Sequence, residues 1–512
     1  GDSSGSVVTF SSTENSLALL KNFHIKNGYL STQQDAGAGI HCAAGTNPTL
    51  KNLIVSNNID ATHGNSAGGI KFKPDSGDTL RVSGSVIRNN IGIWGGGGLL
   101  TRGDGVTLLN NVDIKGNSSN SGAGIKIESG IYIFDNVTII NNASTSGNTA
   151  NTVGGGGIDI SNATLYLSNS NVSNNSAGSS DFGDVNGGAV AAINSTLTIE
   201  NSIIDNNTSS EKGGGIYCRD NSILTINNTT ISNNTSYDNG GGVFQHGGEA
   251  SFFNCIFQNN HSSVGGGLMT ESVSPVISQS IFKGNSCNEK GSAIDVYGHG
   301  DYIISNSIFV QNIIAPNQSG EASVIFMDQY PNNYTPSIRM YNSILWDNDI
   351  PSFKFYRAHQ DTLMIDYSII EGGIDSINAV GNELIYGNNN LNQDPLFADA
   401  TNGDYTLLSG SPAINAGSPN AFYNDNDGTR NDMGHTGGNG FVLSATDIDF
   451  GYLGTGDSRT KAIMITNTKD SNISISGASF DDNQFTTTQT FPLNISSYSN
   501  ANIQFTFTPT SI

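Results

Sequence analysis

Apolar residues along this chain fall into columns once the sequence is cut at a recurring pair of amides. In the stretch 196–218, "TLTIENSIIDNNTSSEKGGGIYC", an alternating apolar segment runs into "NN", a polar loop and a glycine turn, and a new apolar segment starts at Ile216. Aligned on the second residue of each such pair, the copies are anchored at Asn58, Asn90, Asn117, Asn142, Asn175, Asn207, Asn234, Asn260, Asn285, Asn312 and Asn348, 25 to 36 residues apart. Three residues before each anchor the position is always apolar, from Val55 through Ile204 to Leu345, and so is the position eight before it, from Leu50 through Leu167 to Met340. Alternation with a period of two predicts short strands with one face inward and one outward, and nothing in the spacing is helical. A short glycine-rich turn, "GGGI" at Ile216 or "GGGV" at Val243, marks a corner where the backbone needs positive φ or close approach.

A repeat of this length, made of short strands and tight turns with no crossover helix, is satisfied by a parallel β-helix in which each coil stacks on the one before. With "LALLKNFHIKNG" at the start and "LMIDYSIIEGG" as a worn last copy, the pattern predicts about thirteen coils over residues 1–375. Six residues before the anchor stands an amide in nearly every copy, among them Asn52, Asn111, Asn169, Asn201, Asn228 and Asn254. Gln279, Asn306 and Asn342 continue that column, Gly84 interrupts it and Tyr367 replaces it in the worn copy. This column is the one expected to form an inner-corner asparagine ladder, each amide bonding its neighbours in the coils above and below.

After residue 375 the period fails. Residues 376–440 contain "DPLFAD", "GDYTLLSGSPAINAG" and "DNDGTRNDMG", and are expected to cap the solenoid, because an uncovered terminal coil exposes a sheet edge. Residues 441–512 alternate apolar and polar in several short strands separated by turns, which predicts a small β-sandwich. The closing phrases resemble those of bacterial right-handed parallel β-helix surface proteins of the choice-of-anchor Q domain type. The "GGGI" and "NSxIxNN" phrases are similar to polymorphic outer-membrane-protein and pectin-lyase-like β-helix repeats. "IDFGYLGTGDSRTKAIMITNT" and "IQFTFTPTS" resemble immunoglobulin-like modules of the abnormal-spindle and hydin type. These resemblances imply an all-β chain, a right-handed parallel β-helix followed by an immunoglobulin-like sandwich, on or outside a bacterial cell. Such modules run further than this one, so an open edge along "ANIQFTFTPTSI" is expected, filled either by further chain or by a strand from a neighbouring subunit. The first residues already lie in a repeat-like pattern without a secretory signal, so the chain is expected to be part of a longer precursor.

Composition narrows the partners. The formal net charge of -23 argues against nucleic acid and anionic membrane, and no hydrophobic run is long enough to cross a bilayer. Charged residues are only 13% of the chain, about half the usual share, so a cluster of them draws notice. Four cysteines, Cys42, Cys218, Cys255 and Cys287, lack metal spacing. Either a disulfide or a set of free thiols serving as small core residues fits them.

Candidate chemistry lies on the strand after the glycine corner, whose outward positions form two columns up the solenoid. Lys71, Lys73, Arg102, Lys126, Glu128 and Asp159 gather scarce charge where an acidic sugar could lie. Tyr217, Phe244 and Met269 form an expected exposed apolar strip edged by Arg219, His246 and Glu271. A polysaccharide lyase needs a base and a cation for its enolate, and a glycosidase two carboxylates about 5 to 9 Å apart. Any long mixed column offers such pairs by chance, so no residue is assigned as catalytic. In the cap, Asp425, Asp427 and Asp432 surround a glycine, a spacing that suits calcium or turn-forming aspartates that bond their own backbone. Three functional classes therefore stand open: a non-enzymatic structural or adhesive surface protein that binds polysaccharide or cell-surface glycan, an enzyme acting on an acidic polysaccharide, and a subunit that self-associates through its ends into a filament or layer.

Overall fold

The computed structural model describes residues 4–510 apart from 12, 33–34, 63, 146–153, 179–184, 317, 319–321, 329–335, 357–360, 439–440, 444–447, 449, 451–452, 454, 468, 470 and 498. Each coil is four short strands, as in Ile216–Arg219, Ile223–Asn227, Thr230–Ser232 and Thr235–Ser236. Each strand pairs in parallel with its counterpart one coil on: Ile216 lies beside Val243, Leu224 beside Ala250, Ile231 beside Phe257 and Thr235 beside His261. The first stack, which follows the glycine corner, contains fourteen rungs among the described residues, from Val8–Phe10 to Ile377–Asn378. Parallel pairing thus continues past the point where the period fades in sequence, and its last partner in the second stack is Glu383–Tyr386.

The two apolar columns form the core. Val55, Ile87, Ile114, Ile139, Val172, Ile204, Ile231, Phe257, Phe282, Phe309 and Leu345 are all fully buried, as are Leu50, Leu167, Ile199 and Phe252 of the other column. Like packs on like: Phe257, Phe282 and Phe309 stack face to face with centroids 4.4 and 4.9 Å apart. Each side chain of this size contributes about 1.5–3 kcal/mol on burial, and no coil could bury both columns without a neighbour.

The asparagine ladder is real but stands in the other amide column. The anchors Asn58, Asn90, Asn117, Asn142, Asn175, Asn207, Asn234, Asn260, Asn285 and Asn312 are buried. Each donates its side-chain amide to the next anchor's carbonyl oxygen, as Asn58 to Asn90 at 2.9 Å, Asn207 to Asn234 at 3.0 Å and Asn312 to Asn348 at 3.2 Å. The same amide also donates to the backbone of an adjacent rung, as Asn207 Nδ2 does to Val172 O at 2.9 Å. The column six residues earlier, from Asn52 through Asn201 to Asn254, is mostly exposed, with φ between 46° and 55°. A single left-handed residue turns one strand into the next with its side chain outward, and asparagine tolerates that conformation better than most. The residue before each anchor does the same at the following bend, as at Asn206 and Asn233. A second inner ladder follows the first bend: Ser170 N donates to Ser202 Oγ, Ser202 N to Thr229 Oγ1, Ser280 N to Ser307 Oγ and Ser307 N to Ser343 Oγ.

Residues 391–438 do not lid the end of the solenoid. They return along its side, and Tyr405, Ala413 and Met433 bury Ile281, Ile308, Val310, Ile344 and Ile369 of the third stack. The left-handed amides that face solvent in earlier coils grip this strap. Gln279 donates to Gly437 O at 3.1 Å, Asn306 to Asn431 Oδ1 at 3.0 Å, and Asn342 Oδ1 accepts from Ser418 N at 2.8 Å. Beyond it, Phe441–Leu443, Arg459–Asn467, Asn500–Phe507 and Phe485–Thr486 form an antiparallel sheet, and Ile473–Ile475 pairs with Leu493–Ile495. Val442 and Met464 pack this unit on Phe253, Val276 and Ile303 of the solenoid. The strand expected to be an open edge, Asn500–Phe507, pairs along its length with Arg459–Thr466, and among the described residues its other side is strand-paired only at Phe507 and Thr506, with Phe485 and Thr486. The final residues of "ANIQFTFTPTSI", 511 and 512, lie outside the described residues.

Candidate functional site

The outward face of the first stack does not carry two equivalent columns. The first, expected to be exposed, is largely sealed: Lys71, Leu100, Phe244 and Asp295 are at most 2% exposed, and Asp159, Tyr217 and Met269 at most 7%. The cause is local. At described corners the opening glycine packs directly on this column, as Gly213 does on Tyr217, Gly265 on Met269 and Gly291 on Asp295. Gly240, at φ +65°, lies so close to the strand that a Cβ there would meet Val243 O at 2.4 Å and Phe244 Cβ at 2.8 Å. The second column stays at the surface, with Lys73, Arg102 and His246 exposed, and of the first, between His41 and Asp295, only His41 and Lys126 are partly open.

Around Lys73, Arg102 and Glu128 of that second column the surface forms a groove of about 650 Å³, also lined by Asp35, Asp75, Asp104 and Asn162. Its charges are paired across rungs. Lys73 Nζ lies 2.7 Å from Asp35, which also takes the buried Lys71 ammonium. Arg102 Nε lies 2.9 Å from Glu128, whose other oxygen is 3.8 Å from Lys126 Nζ. Lys71 further donates to Asn65 O, and burial holds its pKa below the ordinary value against the pull of Asp35. Burial, reinforced by Lys71, likewise lowers His41, its neighbour one rung back. Asp35 belongs to the loop before a corner, where nothing repeats, so no periodic signal in the sequence points to it.

Asp159 sits beside Lys126 on the next rung but beneath the surface, accepting from Ser121 Oγ. Burial, outweighing Lys126 and the Ser121 hydroxyl, pushes its pKa up to about 6. A carboxyl whose folded-state pKa exceeds its unfolded value makes no difference to stability below about pH 3.8, where both states hold the proton. Its cost grows as pH rises between the two values and is complete above about 6, reaching at most about 3 kcal/mol. Asp159→Asn is therefore expected to unfold at a higher denaturant midpoint than the parent at about pH 7.5, with the gain gone by about pH 4. Equal midpoints at both values would show that Asp159 is solvated.

Tyr217, Phe244 and Met269 lie two to four rungs beyond Asp159 and do not join the charged groove. They form a buried cluster with Ala191, not an exposed strip: Tyr217 and Phe244 stack 5.4 Å apart, Lys212 covers Phe244 at 5.3 Å, and burial pushes the Tyr217 hydroxyl up to about 12. At the edge, Arg219 Nε lies 3.7 Å from Asp220 and His246 is exposed.

The three cap aspartates are bound to their own backbone. Asp425 accepts from Gly438 N at 2.6 Å and Asp432 N at 3.1 Å, Asp427 from Thr429 N at 2.9 Å, and Asp432 from Asn415 N at 2.6 Å. Among the described residues no group of three or more His, Cys, Asp or Glu side chains is placed to hold a metal. Asp427 makes the local bond of a turn-forming aspartate, whereas Asp425 and Asp432 tie together backbone 7 to 17 residues apart and so hold the strap's loops to one another. The four cysteines are free and buried, and burial raises every thiol, so they serve as small core residues.

Residues 97–275 match the family model described as the right handed beta helix region. The matched span carries the groove from Arg102 onward, the buried aromatic cluster and the middle of the asparagine ladder, and the solenoid is accordingly a right-handed parallel β-helix. A search of curated proteins finds no match to the chain.

Proposed function

We propose that this chain is a non-catalytic structural and adhesive module of a bacterial cell surface, a stiff rod whose outer face meets glycan. The single observation that carries this reading is the pairing of charge in the groove: Lys73 with Asp35, and Arg102 and Lys126 with Glu128. A lyase needs a cation ready for the enolate and a base beside it. Here the cations already hold carboxylates, and the one carboxyl in this cluster with a pKa near neutrality, Asp159, is buried and takes the Ser121 hydroxyl. Fourteen rungs at about 4.8 Å give a rod about 60 Å long, stiffened by two inner ladders, which suits a spacer or stalk. The likeness of "GDYTLLSGSPAINAG" and its neighbours to choice-of-anchor Q proteins, and of the C-terminal unit to abnormal-spindle and hydin modules, supports the same setting. Incubation with uronic-acid polymers is expected to release neither unsaturated nor new reducing ends. Sustained release that Glu128→Gln or Lys126→Ala abolishes would overturn the reading in favour of an enzyme.

A further inference from the structure

The strap that returns along the third stack does not lie flush against it. Between the two opens a cleft of about 300 Å³, at the small end of the range for ligand pockets, remote from the charged groove. Its floor is aromatic. Trp346, half-buried at the end of a third-stack strand, faces Phe397 and Tyr405 from the strap hairpin, whose rings meet edge-on 5.1 Å apart. Its rim is polar on one side and apolar on the other. Gln311 and Asp347, left-handed bend residues of adjacent rungs, join through a 3.0 Å hydrogen bond, while Leu396 and Leu408 remain 39% and 49% exposed.

One polar atom of a residue lining this cleft is unaccounted for. Tyr405 is 3% exposed, yet its hydroxyl has no hydrogen-bond partner among the described residues. Burial together with the nearby Asp347 carboxylate pushes its pKa up to about 12, so it remains a proton donor across the physiological range. A buried hydroxyl left unpaired is a cost to the fold, and a ligand hydroxyl that reached it would remove that cost. Two carboxylates line the cleft, Asp347 and Asp394, against one nearby ammonium, that of Lys283 at 5.5 Å over the Tyr405 ring, and this balance disfavours an anion.

We propose that this cleft is a carbohydrate subsite for one neutral sugar ring at a time. The ring's apolar face lies on Trp346, and its hydroxyls meet Tyr405, Gln311 and Asp347. Sugar rings have this dual character, with C–H faces that pack on aromatic rings and hydroxyls that both donate and accept, and a cleft with an aromatic floor and an amide–carboxylate rim matches it. The site does not depend on the charged groove, so it stands or falls independently of whether the groove is catalytic.

The chain has two tryptophans, so in a Trp94→Phe background fluorescence reports on Trp346 alone. Titration with glucose, galactose, mannose, N-acetylglucosamine and their β-linked disaccharides is expected to give a saturable change for at least one of them. Tyr405→Phe keeps the ring in the core and is expected to weaken that binding about tenfold, the equivalent of one hydrogen bond, with a melting temperature at or above the parent's as evidence that the strap is intact. No saturable change with any neutral sugar would overturn the proposal. So would tighter binding of glucuronate or galacturonate than of their neutral counterparts, or equal affinity in the Tyr405→Phe variant.

Discussion

Replacing Asn207 by leucine is expected to lower the unfolding midpoint far more than the same change at Asn201, although both belong to "ENSIIDNN" and are equally regular in the repeat. Asn207 is fully buried and donates to Val172 O, Asp205 O and Asn234 Oδ1, while its own carbonyl oxygen accepts from the Asn175 backbone and side-chain amides. Leucine fits the volume but strands several of these groups in a dry interior, at about 1–3 kcal/mol each, so a loss of about 4 kcal/mol or more is expected. Asn201 is exposed at φ 49°, and leucine there incurs only the strain of a left-handed side chain, about 1–2 kcal/mol. Because a stacked-repeat protein unfolds locally, hydrogen exchange of the rungs on either side of Asn207 should be read together with the global midpoint. Equal losses at the two positions would mean that the buried ladder contributes nothing beyond chain conformation.

Gly240→Ala is expected to be as damaging, and Gly45→Ala separates the two causes. Both glycines have positive φ, +65° and +78°, so alanine brings similar strain to each. Around Gly45 a Cβ meets nothing within 4 Å, whereas at Gly240 it would lie 2.4 Å from Val243 O and 2.8 Å from Phe244 Cβ. The carbonyl cannot retreat, because its strand is hydrogen-bonded into the stack on both sides. The corner must open, which lifts the loop from Phe244 and unseats the cluster with Tyr217 and Met269. A loss of about 4 kcal/mol or more is expected, against about 1–2 kcal/mol for Gly45→Ala. Increased exposure of Tyr217 and Phe244 to solvent, followed by aromatic fluorescence and exchange of the flanking amides, would identify the mechanism. Indistinguishable midpoints for the two alanine variants would refute it.

What the sequence determined by itself was the stack. Two apolar columns recurring for hundreds of residues cannot be buried by one coil alone, and a period-two pattern with no helical stretch leaves parallel coils as the arrangement that buries both. The identity of the ladder was also present, but in the parity of the spacing. Leu197, Ser202 and Asn207 are all inward, separated by odd intervals that strict alternation forbids, so one extra residue must be spent at a bend within each. The bends are Asn201 and Asn206, and the residues after them point inward. Regularity alone cannot distinguish an amide chosen for a left-handed bend from one chosen for its hydrogen bonds, so the column six residues before the anchor looks as fit for the ladder as the anchor column that forms it.

Only the tertiary structure decided which outward positions meet solvent. A strand's alternation says that Lys71, Asp159, Tyr217 and Phe244 leave the core of their own sheet. It cannot say that the chain arriving at the next corner will close over them, because those loops vary in length and share no pattern. For the same reason the partner of Lys71 came from Asp35, far along a non-repeating loop. The strap's course was equally hidden: its aspartates and prolines announce turns, while its path back along Gln279, Asn306 and Asn342 depends on amides that are indistinguishable in sequence from those left in water. Local periodicity is set by each rung's own burial. The solvent boundary, and the clefts that form at it, are set by segments that pack across rungs without repeating.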